Sequence, residues 1–203
     1  MPSSPATRGP GAAQAATAAA QAGARRIRLS DTVGRYTPDA VAKAVRLVLR
    51  QGLEAEIHAH NDFGMATANA ISGLEAGAIS VNTTVIGLGE RAGNASFEQV
   101  LMSLAHLFGE QRTIDSGALR HLVALVEKAS KQSISATMPI VGKHIFSHES
   151  GIHVNGMIKH EKAYEAFSPH SVGMKRSYPI GKHSGSSRSE ERRVGKECLR
   201  LCR

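Results

Sequence analysis

An α/β fold of parallel strands is predicted, and three observations predict it. Helix-like and strand-like stretches alternate from Ala12 to Phe108, in the order helix, strand, helix, strand, helix, strand, helix. Repeated βα units of this length imply parallel strands joined by right-handed crossovers. The polar, chemistry-bearing residues fall at the C-terminal ends of the strands or in the loops just after them, where a (β/α) barrel carries its active site. Three strands cannot close a barrel that needs eight, so the chain reads as a fragment of one.

The elements follow from local chemistry. Residues 1–11 are rich in Pro, Ser and Gly and read as disordered or as an arbitrary start. Ala12 to Ala22 is a run of strong helix formers stopped by Gly23. Arg26 to Asp31 is the first strand. Thr37-Pro38-Asp39 then opens a helix, with Thr as the N-cap, Pro in the first position and Asp in the first turn. Val41, Val45, Val48 and Leu49 form its apolar stripe, and Gly52 ends it. The second strand begins at Glu54, and a helix runs from about Gly64 to Ala76. The third strand spans Ile79 to Ile86, and the next helix carries Phe97, Leu101, Leu104 and Phe108 on one face. Asp115 caps a further amphipathic helix with Leu119, Leu122, Val123 and Val126 on its stripe.

The most informative stretch is Glu54-Ala55-Glu56-Ile57-His58-Ala59-His60-Asn61-Asp62. On a strand, Glu56, His58 and His60 share one face, with Ile57 and Ala59 on the other. Two imidazoles two residues apart on one face are able to ligate a single metal ion. A second stretch, Gly87-Leu88-Gly89-Glu90-Arg91-Ala92-Gly93-Asn94, follows the third strand. Read as an ordinary strand-to-helix turn, it offers Asn94 or Ser96 as a helix N-cap, but that leaves the Glu90-Arg91 pair unexplained.

Together these stretches resemble the acetyl-CoA-dependent Claisen-condensing enzymes, the 2-isopropylmalate, citramalate and homocitrate synthases. The resemblance covers roughly residues 12–185 and also rests on His148-Glu149-Ser150-Gly151-Ile152-His153 and Ile180-Gly181-Lys182-His183-Ser184-Gly185. It implies that residues 12–112 are the last three strands of a (β/α)8 TIM barrel and residues 113–185 the helical subdomain that follows. It implies a divalent metal (Mg, Mn or Zn) held by His58, His60 and Asn94. It also implies an Arg-Asp-Gly-Glu type strand, outside this sequence, supplying a carboxylate ligand and a catalytic arginine.

Three histidines between His144 and His153 would suggest metal binding on composition alone, or solvated loop residues. The resemblance implies another role, in which this segment enters the partner subunit's barrel mouth and a His works with a Tyr on the acetyl group. The matching residues are His153 and Tyr164, with His148 the second candidate. A homodimer is implied on the same ground. Glu56 is a candidate orienter or proton-transfer group. Thr32 is a candidate for the substrate carboxylate. Glu90 and Arg91 either meet substrate or pair with each other to fix their loop.

Val81-Asn82-Thr83-Thr84-Val85 and Gly151-Ile152-His153-Val154-Asn155-Gly156 look more like the nitrogenase-associated homocitrate synthases, which use 2-oxoglutarate, than the leucine-pathway enzymes. The competing reading is a non-catalytic remnant or docking module, and the 203-residue chain alone is expected to be inactive. Residues 186–203 look foreign, since Arg188 to Cys198 resembles a translated sequencing-adapter oligonucleotide; a charged native helix is the alternative.

Composition excludes several classes. The hydrophobic fraction of 41% is globular, and no run of about 18 apolar residues marks a membrane span. Both cysteines, Cys198 and Cys202, lie in the last six residues, leaving no disulfide framework, which suits the cytoplasm. The net charge of +8 raises nucleic acid as a partner. Against it, the chain has no Trp and no basic stretch interleaved with aromatics, and residues 186–203 alone carry six Arg/Lys against three Glu. Small anions, namely the 2-oxo acid and acetyl-CoA, are the expected partners.

Overall fold

The structure is a computed structural model that describes residues 10–109, 114–150, 156–157, 160 and 164–179. The chain divides into two compact units near residue 112. The first contains α1 (Pro10–Gln21), β1 (Arg26–Asp31), α2 (Pro38–Leu49), β2 (Glu54–Ala59), α3 (Ala66–Glu75), β3 (Ser80–Asn82) and α4 (Phe97–His106). The strands form one parallel sheet in the order β1-β2-β3.

The register puts like with like across the strands. Arg26 lies opposite Glu54, Arg28 opposite Glu56 and Ser30 opposite His58, while Leu29 lies opposite Ile57 and Ile57 opposite Val81. Ala55, Ile57 and Ala59 are buried with Val41, Val45 and Val48 of α2 and Ala66, Ala70 and Ile71 of α3. Ile27, Leu29 and Val81 pack against the same core. The opposite face of the sheet carries the charged and polar residues, as period-2 alternation requires.

Helix starts follow the local chemistry. Thr37 caps α2 by accepting a hydrogen bond from Ala40 N at 3.3 Å, and Pro38 occupies the first turn. Asn61 Oδ1 accepts from Ala66 N at 3.1 Å, so the residue after His60 also starts α3. Ser96, not Asn94, caps α4, accepting from Gln99 N at 3.4 Å.

The third strand differs from its expected span of Ile79 to Ile86. Only Ser80–Asn82 pairs with β2, and Val85–Gly87 forms a 3₁₀ turn in which Ile86 takes φ 56°. A β-branched residue avoids that left-handed region. Here Glu98, fully buried on α4, accepts a hydrogen bond from Ile86 N at 3.1 Å and holds the turn. Phe108 also departs from expectation, lying beyond the end of α4 and partly exposed.

In the second unit, Asp115 caps a short 3₁₀ turn, Ser116–Ala118, which leads into α5 (Leu119–Ser130). Leu119 and Val123 of α5 are buried, as are Val141, Phe146, Met157 and Val172. No helix among the described residues is long and apolar enough to cross a membrane. Residues 186–203 and His153 lie outside the described residues.

Candidate active site

The C-terminal end of β2 delivers the two histidines. The His58 and His60 rings meet edge to face with centroids 4.8 Å apart. His60 Nδ1 lies 2.9 Å from the carbonyl oxygen of Asp31, at the end of β1. A carbonyl only accepts, so Nδ1 carries the proton and the Nε2 lone pair is left for a ligand. A metal-binding imidazole is oriented by this kind of contact.

His58 Nδ1 is buried without a hydrogen-bond partner. Burial pushes the His58 pKa down, the neighbouring His60 ring and the Arg28 guanidinium push it further, and Glu56 only partly opposes them. The ring is therefore neutral, the form that binds cations.

Asn94 arrives from the loop before α4. Its backbone bridges to that of His60, Asn61 N donates to Gly93 O at 2.8 Å, and Asn94 N donates to Gly87 O at 2.9 Å. Close approach requires the glycines. A Cβ on Gly93 would stand 2.1 Å from Gly87 O, and one on Gly89 would stand 2.5 Å from Asn94 Nδ2. The Asn94 amide donates to Leu88 O at 3.1 Å, which leaves Oδ1 as the free end, buried and unpartnered.

Two neutral imidazoles and an amide oxygen form a mixed nitrogen and oxygen donor set suited to a divalent cation. The unpartnered His58 Nδ1 and Asn94 Oδ1 fit that use, because buried polar atoms left alone are costly. Among the described residues, no three His, Cys, Asp or Glu side chains gather into a metal cluster. The donors present are therefore a partial set.

Glu56 is occupied. Arg28 Nε and Arg26 Nη1 approach its two oxygens at 2.5 and 3.5 Å, and Ser80 Oγ donates to it at 3.3 Å. Burial alone would raise its pKa, but the hydrogen bond and charge of Arg28, with Ser80 and Arg26, more than reverse that and lower it. A carboxylate held ionised between two guanidiniums is placed to orient its neighbours; it is poorly placed to shuttle protons.

The Arg91 guanidinium is also occupied. It donates from Nε and Nη2 to the two Asp62 oxygens at 2.8 and 3.0 Å, and from Nη2 to the Thr32 carbonyl at 2.8 Å. Glu90 is a lesser neighbour, 3.7 Å away and 88% exposed. The expected Glu90–Arg91 pairing is thus secondary to a bidentate pair with Asp62, and the fork expected to meet substrate faces protein. Thr32 itself is exposed at the end of β1. The Arg91 hydrogen bond holds the Asp62 carboxyl below its ordinary range, against a smaller opposing effect of desolvation.

In the second unit, His148 is buried and its Nε2 lies 3.3 Å from Glu165 Oε1. Arg176 Nε bridges both Glu165 oxygens at 2.9 and 3.0 Å. His148 is therefore anchored to a carboxylate. Tyr164 is 45% exposed, and its ring lies over Gly156, where a Cβ would come within 2.5 Å of Cε2.

Residues 2–126 match the family model described as HMGL-like. The chain belongs to the HMGL-like family. Residues 140–197 match a second model, the homocitrate synthase post-HMGL domain, which runs past Gly185, where the sequence reading places a break. Homocitrate synthase 1 of Nostoc sp. is 48% identical over 164 residues, covering 80% of this chain and 44% of that protein. 2-Isopropylmalate synthase 2 of Caldanaerobacter subterraneus is 47% identical over 173 residues, covering 85% of this chain and 45% of that protein. The chain thus spans less than half the length of these two relatives.

Among solved structures, an HMG-CoA lyase from Acenitobacter baumannii, in complex with coenzyme A and 3-methylmalate, aligns with 25% identity and a TM-score of 0.53. The alignment covers 59% of this chain and 42% of that one. The carboxyl transferase domain of Rhizobium etli pyruvate carboxylase with oxalate aligns with 23% identity and a TM-score of 0.53, over 59% of this chain and 20% of that one, which speaks to fold alone. The parallel strands of this HMGL-like chain are accordingly βα units of a TIM barrel, and the charged face of the sheet is its inner face.

Sequence reasoning did not find Asp62 as the partner of Arg91, Asp31 as the acceptor for His60, or Glu98 as the brace of Ile86. The signal for Asp62 lay in the His58–Asp62 run itself, whose last residue was left without a task.

Proposed function

We propose that this chain is the C-terminal barrel portion and following domain of a homocitrate synthase, which condenses acetyl-CoA with 2-oxoglutarate and releases CoA. The observation that supports the reading is the placing of three candidate donors around the end of β2: His58 and His60 with ring centroids 4.8 Å apart, and Asn94, whose backbone bridges to His60 and whose Oδ1 is unpartnered. A divalent cation held by His58, His60 and Asn94 would supply Lewis acidity to the carbonyl of a chelating 2-oxo acid. Asp31 fixes the His60 tautomer, and Glu56 fixes Arg28 and Arg26 beside the histidines.

His153 and Tyr164, with His148 as the second candidate, would move the proton from the acetyl methyl, acting in the partner subunit of a homodimer. The enol so formed attacks the keto carbon, and hydrolysis of the resulting thioester frees CoA. Support for 2-oxoglutarate comes from the resemblance of Val81–Val85 and from a relative named homocitrate synthase at 48% identity. A relative named 2-isopropylmalate synthase at 47% makes a branched 2-oxo acid the competing substrate.

The test is CoA release by the complete protein with acetyl-CoA and each 2-oxo acid in turn. The expected result is divalent-metal-dependent turnover, fastest with 2-oxoglutarate. In His58→Ala and His60→Ala, turnover should fall by about three orders of magnitude, as loss of several kcal/mol of carbonyl polarisation implies. Faster turnover with 3-methyl-2-oxobutanoate would replace homocitrate synthase by isopropylmalate synthase. No turnover with any 2-oxo acid would leave the remnant or docking-module reading.

A further inference from the structure

Three loops at the C-terminal end of the sheet each bring one component of the candidate metal centre. The loop after β1 begins at Asp31, whose carbonyl accepts from His60 Nδ1 at 2.9 Å and from Gly34 N at 3.1 Å. The Asp31 carboxylate accepts from the backbone N–H groups of Arg35 and Tyr36 at 2.8 and 2.9 Å, which folds that loop into a fixed turn. The loop after β2 carries His60, and Asp62 stands two residues further on. The loop before α4 carries Asn94, and Arg91 stands three residues earlier.

One guanidinium joins all three loops. Arg91 grips Asp62 with two parallel hydrogen bonds, and the same Nη2 reaches the carbonyl of Thr32. The first loop is pressed against this pair, since a Cβ on Gly34 would stand 2.4 Å from Asp62 Oδ2. Arg91 adopts φ 56°, a conformation that is strained for a non-glycine residue and persists only where surrounding contacts impose it. Asp62 and Arg91 are engaged with each other and with the Thr32 carbonyl. They hold the loops that carry the candidate ligands.

We propose that Arg91 and Asp62 are positioning residues for the metal centre, and that their bidentate pair sets metal affinity by fixing the spacing of the loops bearing Asp31, His60 and Asn94. The proposal rests on the reading of His58, His60 and Asn94 as ligands. A fork is needed because a single guanidinium satisfies two carboxylate oxygens and a carbonyl at once, a geometry that an ammonium does not reproduce.

The experiment is a Mn²⁺ titration of the complete protein without substrate, reading free Mn²⁺ by its magnetic resonance signal, with metal-free melting followed by circular dichroism. Asp62→Asn and Arg91→Lys should each weaken Mn²⁺ binding by about 10- to 100-fold, the range for removing a contact that orients a ligand. Val45→Ala, which opens the core under α2 away from the loops, should lower the melting temperature and leave the Mn²⁺ affinity as in wild type. Unchanged affinity in both pair variants would overturn the proposal. So would an equal loss of affinity in Val45→Ala, which would make the effect one of general stability. Wild-type protein that binds no Mn²⁺ would overturn the ligand assignment beneath it, a different failure read in the same titration.

Discussion

The two faces of the three-stranded sheet are made by different physics. One face presents Ile27, Leu29, Ala55, Ile57, Ala59 and Val81 to the apolar core that α2 and α3 complete. The other presents Arg26, Arg28, Glu54, Glu56, His58, Ser80 and Asn82, and charge pairs between Arg26, Arg28, Glu54 and Glu56 are prominent among its contacts. The apolar face stabilises through area removed from water, which is non-directional and tolerant of detail. The charged face depends on register: Arg26 stands opposite Glu54 and Arg28 opposite Glu56, so each carboxylate meets a guanidinium across one strand spacing. The first face makes the fold, and on the second Arg28 adds to the burial that lowers the His58 pKa, against an opposing pull from Glu56.

That difference is open to attack from either side. The larger effect belongs to the apolar face. Ile57→Ala should destabilise the complete protein by about 2–5 kcal/mol in urea melts, because the cavity between β2 and its helices cannot fully collapse. A cost below about 1 kcal/mol would show that the core does not depend on this face.

The smaller effect belongs to the charged face. Glu56→Gln should cost about 1 kcal/mol at neutral pH, since both partner arginines remain partly exposed. Its pH dependence has a definite sign. The native pKa of Glu56 lies below its ordinary value of 4.5, so its ionised form favours folding. The stability gap between wild type and Glu56→Gln should be fully present above that ordinary value and close as pH falls through the lowered native one. A gap that widened in acid would contradict the arrangement of Arg28, Arg26 and Ser80 around this carboxylate.

Much of the apolar architecture was legible in the sequence, because its signals are local. Thr37-Pro38-Asp39 starts a helix by the chemistry of its own side chains, and Arg26–Asp31 reads as a strand with the bounds it has in the structure. The third strand was misread because its end is decided from a distance. Ile86 looks like a strand residue, yet Glu98, twelve positions later, holds it in a left-handed turn. The metal-site candidates were legible as a pattern of His, His and Asn, but their surroundings were not. Arg91 stands 29 residues from Asp62 and 59 from Thr32, and only the stacking of three βα units brings them together. Glu56 shares a face with His58 as the alternation predicted, but alternation does not reveal that two arginines of the neighbouring strand have already claimed it.

The measurement that bears most directly on this account is a crystal structure of the complete protein loaded with Mn²⁺, with the metal located by its anomalous scattering. The account predicts one peak per chain at the C-terminal end of β2, bound by His58, His60 and the side-chain oxygen of Asn94. A peak elsewhere, or one at this strand end that leaves either histidine or Asn94 out of its coordination, would contradict it.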